Sequence, residues 1–128
     1  LNKNNVLLIE DNLSVAAIFK ILAKRMGINL VHQTSAERTL ELEDTPHAPI
    51  SLANLIILDF DLVGENTLPI LQYIKDNNIA TPVIMNSANP SIKDTIDKNG
   101  FTDIIKEYKD KNCSLQETQD IILKYLEA

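Results

Sequence analysis

Short apolar runs rich in branched residues alternate along the chain with longer stretches of helical period. The first run, Val6-Leu7-Leu8-Ile9, is too short for a helix and stops at Glu10-Asp11-Asn12. It predicts a buried strand. From Leu13 to Met26 the apolar positions Val15, Phe19, Leu22 and Met26 follow a four-three-four spacing, and Gly27 stands where a helix terminator belongs. That stretch predicts an amphipathic helix. Ile28 to His32 makes a second strand, after which Thr34 or Ser35 can cap a helix running to about Glu43, with Glu37 in its first turn.

Thr45-Pro46-His47-Ala48-Pro49 reads as a loop, because each proline removes a donor and fixes the backbone. Leu55-Ile56-Ile57-Leu58-Asp59 is the most apolar run and fits the centre of a parallel sheet. Leu68, Leu71 and Ile74 mark a third helix, with Pro69 tolerated in its first turn. Pro82 to Met85 predicts the fourth strand, and Asn89-Pro90-Ser91 opens a short polar helix ending at Asn99-Gly100. Phe101 to Ile105 is expected as the fifth strand, and Leu115, Thr118, Ile122 and Tyr125 share one face of a last helix. Five strands each followed by a helix imply a doubly wound α/β fold, a parallel sheet covered on both faces by right-handed crossovers.

With 128 residues, the chain is expected to form a single domain over 1–128, with its core at about 5–126 and no room for an effector. The net charge of -6 argues against a cationic nucleic-acid face, and one cysteine, Cys113, excludes an internal disulfide framework. No run approaches membrane-spanning length and no signal-peptide order opens the chain, so a cytoplasmic location is expected. Residue 1 is Leu rather than Met, as in a piece of something longer.

Ligands of doubly wound sheets sit beyond the carboxyl ends of the strands, so the chemistry belongs just after each apolar run. Those positions hold Glu10 and Asp11, then Asp59 and Asp61, then Ser87, then Lys106. Two unit charges about 4 Å apart at an effective dielectric of about 20 repel by roughly 4 kcal/mol, so converging carboxylates call for a cation or a shared proton. Hard oxygen ligands on an open site suit Mg²⁺, which readily bridges to a phosphoryl oxygen. A hydroxyl and an ammonium can serve the remaining oxygens, and an aspartate between metal and cation is equipped as a nucleophile toward phosphorus.

Three stretches then carry a resemblance: Val6-Leu7-Leu8-Ile9-Glu10-Asp11-Asn12, the run from Leu55 through Asp59 to Gly64, and Thr81-Pro82-Val83-Ile84-Met85-Asn86-Ser87-Ala88. With Gly100-Phe101-Thr102-Asp103 they resemble, in order, the receiver domain of two-component response regulators, the family of the chemotaxis regulator. The resemblance implies a (βα)5 fold with flavodoxin-like strand order 2-1-3-4-5. It implies Asp59 as phosphoacceptor, with Mg²⁺ on Glu10, Asp11, Asp59 and the main-chain carbonyl of Asp61. Ser87 would be the switch hydroxyl and Lys106 the phosphoryl partner, with Lys109 as a fallback. It further implies a sensor histidine kinase or histidine phosphotransfer protein as donor, an effector elsewhere and a phosphorylation-dependent dimer. Self-phosphorylation and slow autodephosphorylation would then be its only reactions, so no turnover enzyme is expected.

Two features depart from the family. No proline follows Lys106, and the aromatic of the fifth strand is missing at Asp103 and Ile104, where the expected register would put it. Those departures support another reading, a receiver-like interaction module that is not phosphorylated. Asp59-Phe60-Asp61 also resembles the nucleophile motif of haloacid-dehalogenase-like phosphatases, although there the nucleophile strand comes first. Singly, each residue has a plainer explanation. Acids after strands are common solvated turn residues, and Lys106 alone reads as a snorkelling surface lysine. His32 and His47 lack the spacing of a metal pair and read as structural or exposed; Cys113 reads as an inert thiol.

Overall fold

The first four apolar runs each seed a strand followed by a helix, as their spacing requires. The computed structural model describes residues 4–60 and 67–126. The chain runs β1 (Asn5–Ile9), α1 (Leu13–Met26), β2 (Asn29–Gln33), α2 (Ala36–Leu42) and β3 (Leu55–Asp59). It continues through α3 (Leu68–Asp76), β4 (Val83–Ser87), α4 (Ile92–Lys98), β5 (Ile105–Asp110) and α5 (Leu115–Leu126). The strands pair in parallel in the order β2-β1-β3-β4-β5, as expected. Every residue of β3 and β4 is buried, which explains why those runs lack the alternation of a half-exposed strand.

The period of two divides the core. Val6, Leu8, Leu55, Ile57 and Ile84 pack against Ala16, Phe19 and Leu22 of α1 and Ile122 of α5. Leu7, Ile9, Ile56, Leu58, Val83 and Met85 face the opposite way, onto α3, α4 and Phe101. Continued past the apolar runs, the same period puts Glu10, Asp59, Asn86 and Lys109 on the α1/α5 side. Side-chain caps fix where helices begin. Asn12 Oδ1 accepts from the amides of Ser14 and Val15, and Ser35 Oγ accepts from Arg38 N. Gly27 closes α1 with φ 69°, a left-handed conformation that glycine adopts without a Cβ penalty. No described helix is long and apolar enough to cross a membrane.

Two expectations need correction. The fifth strand is not 101–105: Phe101 is buried against α3 and α4, and Ile104 N donates back to Phe101 O at 3.1 Å, closing a turn. The strand starts at Ile105, and its register against β4 slips, Val83 facing Ile105 but Ile84 facing Glu107. Lys106 is the extra residue of that bulge. On α5, Thr118 and Ile122 are buried, but Leu115 is half exposed, so the buried stripe starts one turn later than expected.

Candidate functional site: an acidic crevice at the strand ends

The carboxyl ends of β1 and β3 bring two acids into one buried place. Glu10 and Asp59 are both fully buried, and Glu10, Asp11 and Asp59 offer carboxylate oxygens lying within 4.8 Å of one another. Glu10 is held from two sides. Its Oε2 accepts from Asn12 N at 3.2 Å. Its main-chain carbonyl accepts from His32 Nε2 at 2.7 Å, which gives that histidine the structural role expected of it. Burial first, then a hydrogen bond and charge repulsion from Asp59, push the Glu10 carboxyl up from 4.5 to about 8.

The cation facing this pair is Lys111. Its Nζ lies 2.8 Å from Asp59 Oδ1 and 3.9 Å from Glu10 Oε1. Neither lysine expected there occupies the position. Lys106, thrown outward by the bulge, donates to Asp103 O at 3.5 Å on the surface. Lys109 is buried beside the crevice, but its Nζ donates to Asn86 Oδ1 at 3.1 Å and to Asp110 O at 3.2 Å. The physical reason is the late start of β5, which moves the strand end from Ile105 to Asp110. The turn that presents Lys111 is tied by Lys111 N to Ser87 O at 3.3 Å and by Asn112 N to Asp110 Oδ1 at 2.8 Å. Asp110 thus shapes the turn that presents Lys111.

The late start also supplies an aromatic. Tyr108 lies on β5 opposite Met85, on the α3/α4 side, and its hydroxyl is buried without a hydrogen bond. It lines a cavity of about 480 Å³ with Ser87, Ala88, Pro90 and Ile92. Both Lys111 and Tyr108 escaped the sequence reading, although Tyr108 stands three residues before Lys111 and offered a signal for the true strand end. Ser87 ends β4, buried, and its Oγ accepts from Asn89 N at 3.0 Å. Asp61 lies outside the described residues.

No protein-family model and no curated protein sequence matches the chain. Solved structures do. The signal receiver domain of a Luxo repressor protein from Vibrio parahaemolyticus superposes with TM-score 0.79 at 22% identity, over 99% of this chain and 92% of that one. The fold is that of a receiver domain. A response regulator receiver protein from Burkholderia phymatum gives TM-score 0.78 at 22% identity, over 96% of this chain and 94% of that one. The receiver domain of a sensor histidine kinase from Pseudomonas aeruginosa, described with magnesium coordinated in its active site cleft, gives 0.74 at 16%, over 98% of each chain.

The crevice suits a hard divalent cation by its own chemistry. Its donors are carboxylate oxygens, Glu10 Oε1 is buried without a hydrogen bond, and burial together with the neighbouring Asp59 holds the Glu10 carboxyl above its usual range.

Proposed function

We propose that this chain is a phosphoacceptor module of two-component signalling, taking a phosphoryl group from a phosphohistidine onto Asp59. The observation that carries the reading is the ion pair of fully buried Asp59 with Lys111 beside Glu10 and Asp11 at the carboxyl end of the central strand. An Asp59 carboxylate oxygen forms the new O–P bond while the P–N bond breaks, its electron pair leaving with the imidazole. Glu10, Asp11 and Asp59, with the Asp61 carbonyl, would hold Mg²⁺, which when bound supplies positive charge to the transferring oxygens. Lys111 pairs with a second phosphoryl oxygen, and the Ser87 hydroxyl exchanges its contact with Asn89 N for a third.

Nearly two added negative charges must be offset in place, and Lys111 lies close enough to do so. Movement of Ser87 changes the wall of the cavity shared with Tyr108, which links the crevice to the α4–β5 surface where an effector or a second copy would dock. The donor is a sensor histidine kinase or histidine phosphotransfer protein, which places the module in the cytoplasm. The protein is a switch rather than a turnover enzyme, and loss of the phosphoryl group is slow self-hydrolysis. Absence of the crevice lysine and strand aromatic had favoured an unphosphorylated module; Lys111 and Tyr108 remove that argument.

The test is incubation with Mg²⁺ and acetyl phosphate or phosphoramidate, followed by intact-mass spectrometry. One acid-stable, base-labile phosphoryl adduct is expected on wild type and none on Asp59→Asn. An unmodified wild type with no detectable Mg²⁺ binding would overturn the proposal.

A further inference from the structure

Beside the crevice, under α1 and α5, the sheet carries two further buried polar side chains. Asn86 and Lys109 face each other in register across β4 and β5, and are 1% and 6% exposed. The Lys109 ammonium has three donors. Two go to Asn86 Oδ1 and Asp110 O, and the Phe19 ring centroid lies 5.7 Å away. All three neighbours are neutral, and no carboxylate among the described residues is within ion-pair distance of Lys109. Buried lysines are normally paired, because an ammonium taken from water without a counter-charge is expensive. Asn86 adds a second unmet demand: its Nδ2 is buried and makes no hydrogen bond.

Both side chains line one cavity of about 220 Å³, walled by Phe19, Leu22 and Leu115, with Lys111 also on its lining. A charge without a counter-charge and a donor without an acceptor therefore belong to two residues that line the same largely apolar space. Few convergent polar groups in an apolar concavity are the usual composition of a small-molecule site. A carboxylate answers both demands at once, one oxygen toward the ammonium and the other toward the amide, in charge-assisted bonds. The walls suit a short hydrocarbon or aromatic body. The volume limits the ligand to roughly seven heavy atoms, judged against about 30 Å³ for one liquid water.

We infer that this cavity is a binding site for a small monocarboxylate, held at its head by Lys109 and Asn86 with its body against Phe19 and Leu22. The site goes beyond the phosphoacceptor reading and needs neither Mg²⁺ nor a phosphodonor. Loss of either reading therefore leaves the other standing.

The experiment is a titration of metal-free ¹⁵N-labelled protein with butyrate, followed by NMR, with butanol as the uncharged probe of the same body. Saturable shifts are expected at the Asn86 side-chain amide and at the Phe19 and Leu22 amides. Butanol should bind about tenfold more weakly or worse, as should butyrate to Lys109→Met, because a charge-assisted contact is lost. If Lys109→Met fails to fold, Asn86→Val serves in its place with the same expected weakening. The inference is overturned by the absence of saturable shifts, by equal binding of butanol, by undiminished binding to the folded variant, or by shifts confined to the acidic crevice.

Discussion

Lys106 and Lys111 carry the same charge five residues apart, yet only Lys111 reaches Asp59. Lys106 sits in a bulge and spends its ammonium on a surface carbonyl. Lys111 follows the strand end, and its largely buried side chain leans over two buried carboxylates. Lys111→Met should therefore slow phosphorylation of Asp59 by acetyl phosphate by roughly a hundredfold, the usual loss when one transition-state charge partner is removed. Lys106→Met should react at the wild-type rate. Intact-mass time courses of the two variants at saturating Mg²⁺ check the assignment, and equal slowing in both would refute it. Much of this site was legible in the chain: Glu10, Asp11, Asp59 and Ser87 each close an apolar run, and an apolar run ends where a buried strand does. The lysine was not, because the strand that carries it is not apolar.

At the level of elements, β3 and β5 show why. Every side chain of β3 is buried, so Leu55 to Leu58 had to be apolar and the strand declares itself. β5 is an edge strand reading Ile-Lys-Glu-Tyr-Lys-Asp, where only Ile105 and Lys109 are buried. A buried lysine defeats a search for apolar runs, so Phe101 to Ile105 looked like the strand and hid both the bulge and Tyr108. The long connection between α2 and β3 is a second case, predicted as a loop by its prolines and tied across its length by one acid. Glu43 accepts from Ile50 N at 2.6 Å, from Ser51 N at 3.1 Å and from Ser51 Oγ at 2.7 Å. Ile50 in turn is fully buried in the α3/α4 core. Glu43→Ala should destabilise the protein by about 1–3 kcal/mol, because two loop amides lose a charged acceptor. Hydrogen exchange should quicken at Ile50 and Ser51 well before β3 is affected; unchanged protection at both amides would show that Glu43 does not hold the loop.

For the molecule as a whole, the proposed metal crevice should make stability depend on pH and on Mg²⁺ together. The Glu10 carboxyl titrates at about 8 in the folded chain against 4.5 ordinarily, so between those values the folded state binds a proton that the unfolded state has released. Stability of the metal-free protein should consequently fall as pH rises through that window, by at most about 1.4 kcal/mol per pH unit for one proton, and level off above it. Below 4.5 both states hold the proton and Glu10 contributes no slope. Mg²⁺ reverses the sense, because it binds the ionised carboxylates and must displace that proton. Its affinity should rise with pH up to about 8, and the stability it adds, RT ln(1 + [Mg²⁺]/Kd), should grow in step. Urea unfolding at about pH 5.5 and about pH 8.5, each with EDTA and with excess Mg²⁺, separates the contributions. The EDTA midpoint should drop between the two pH values, and the gap between Mg²⁺ and EDTA should widen. In Glu10→Gln, whose amide neither titrates nor repels Asp59, the part of the EDTA drop due to Glu10 should vanish. A gap of the same size at both pH values in wild type would show that no shared proton guards the metal site.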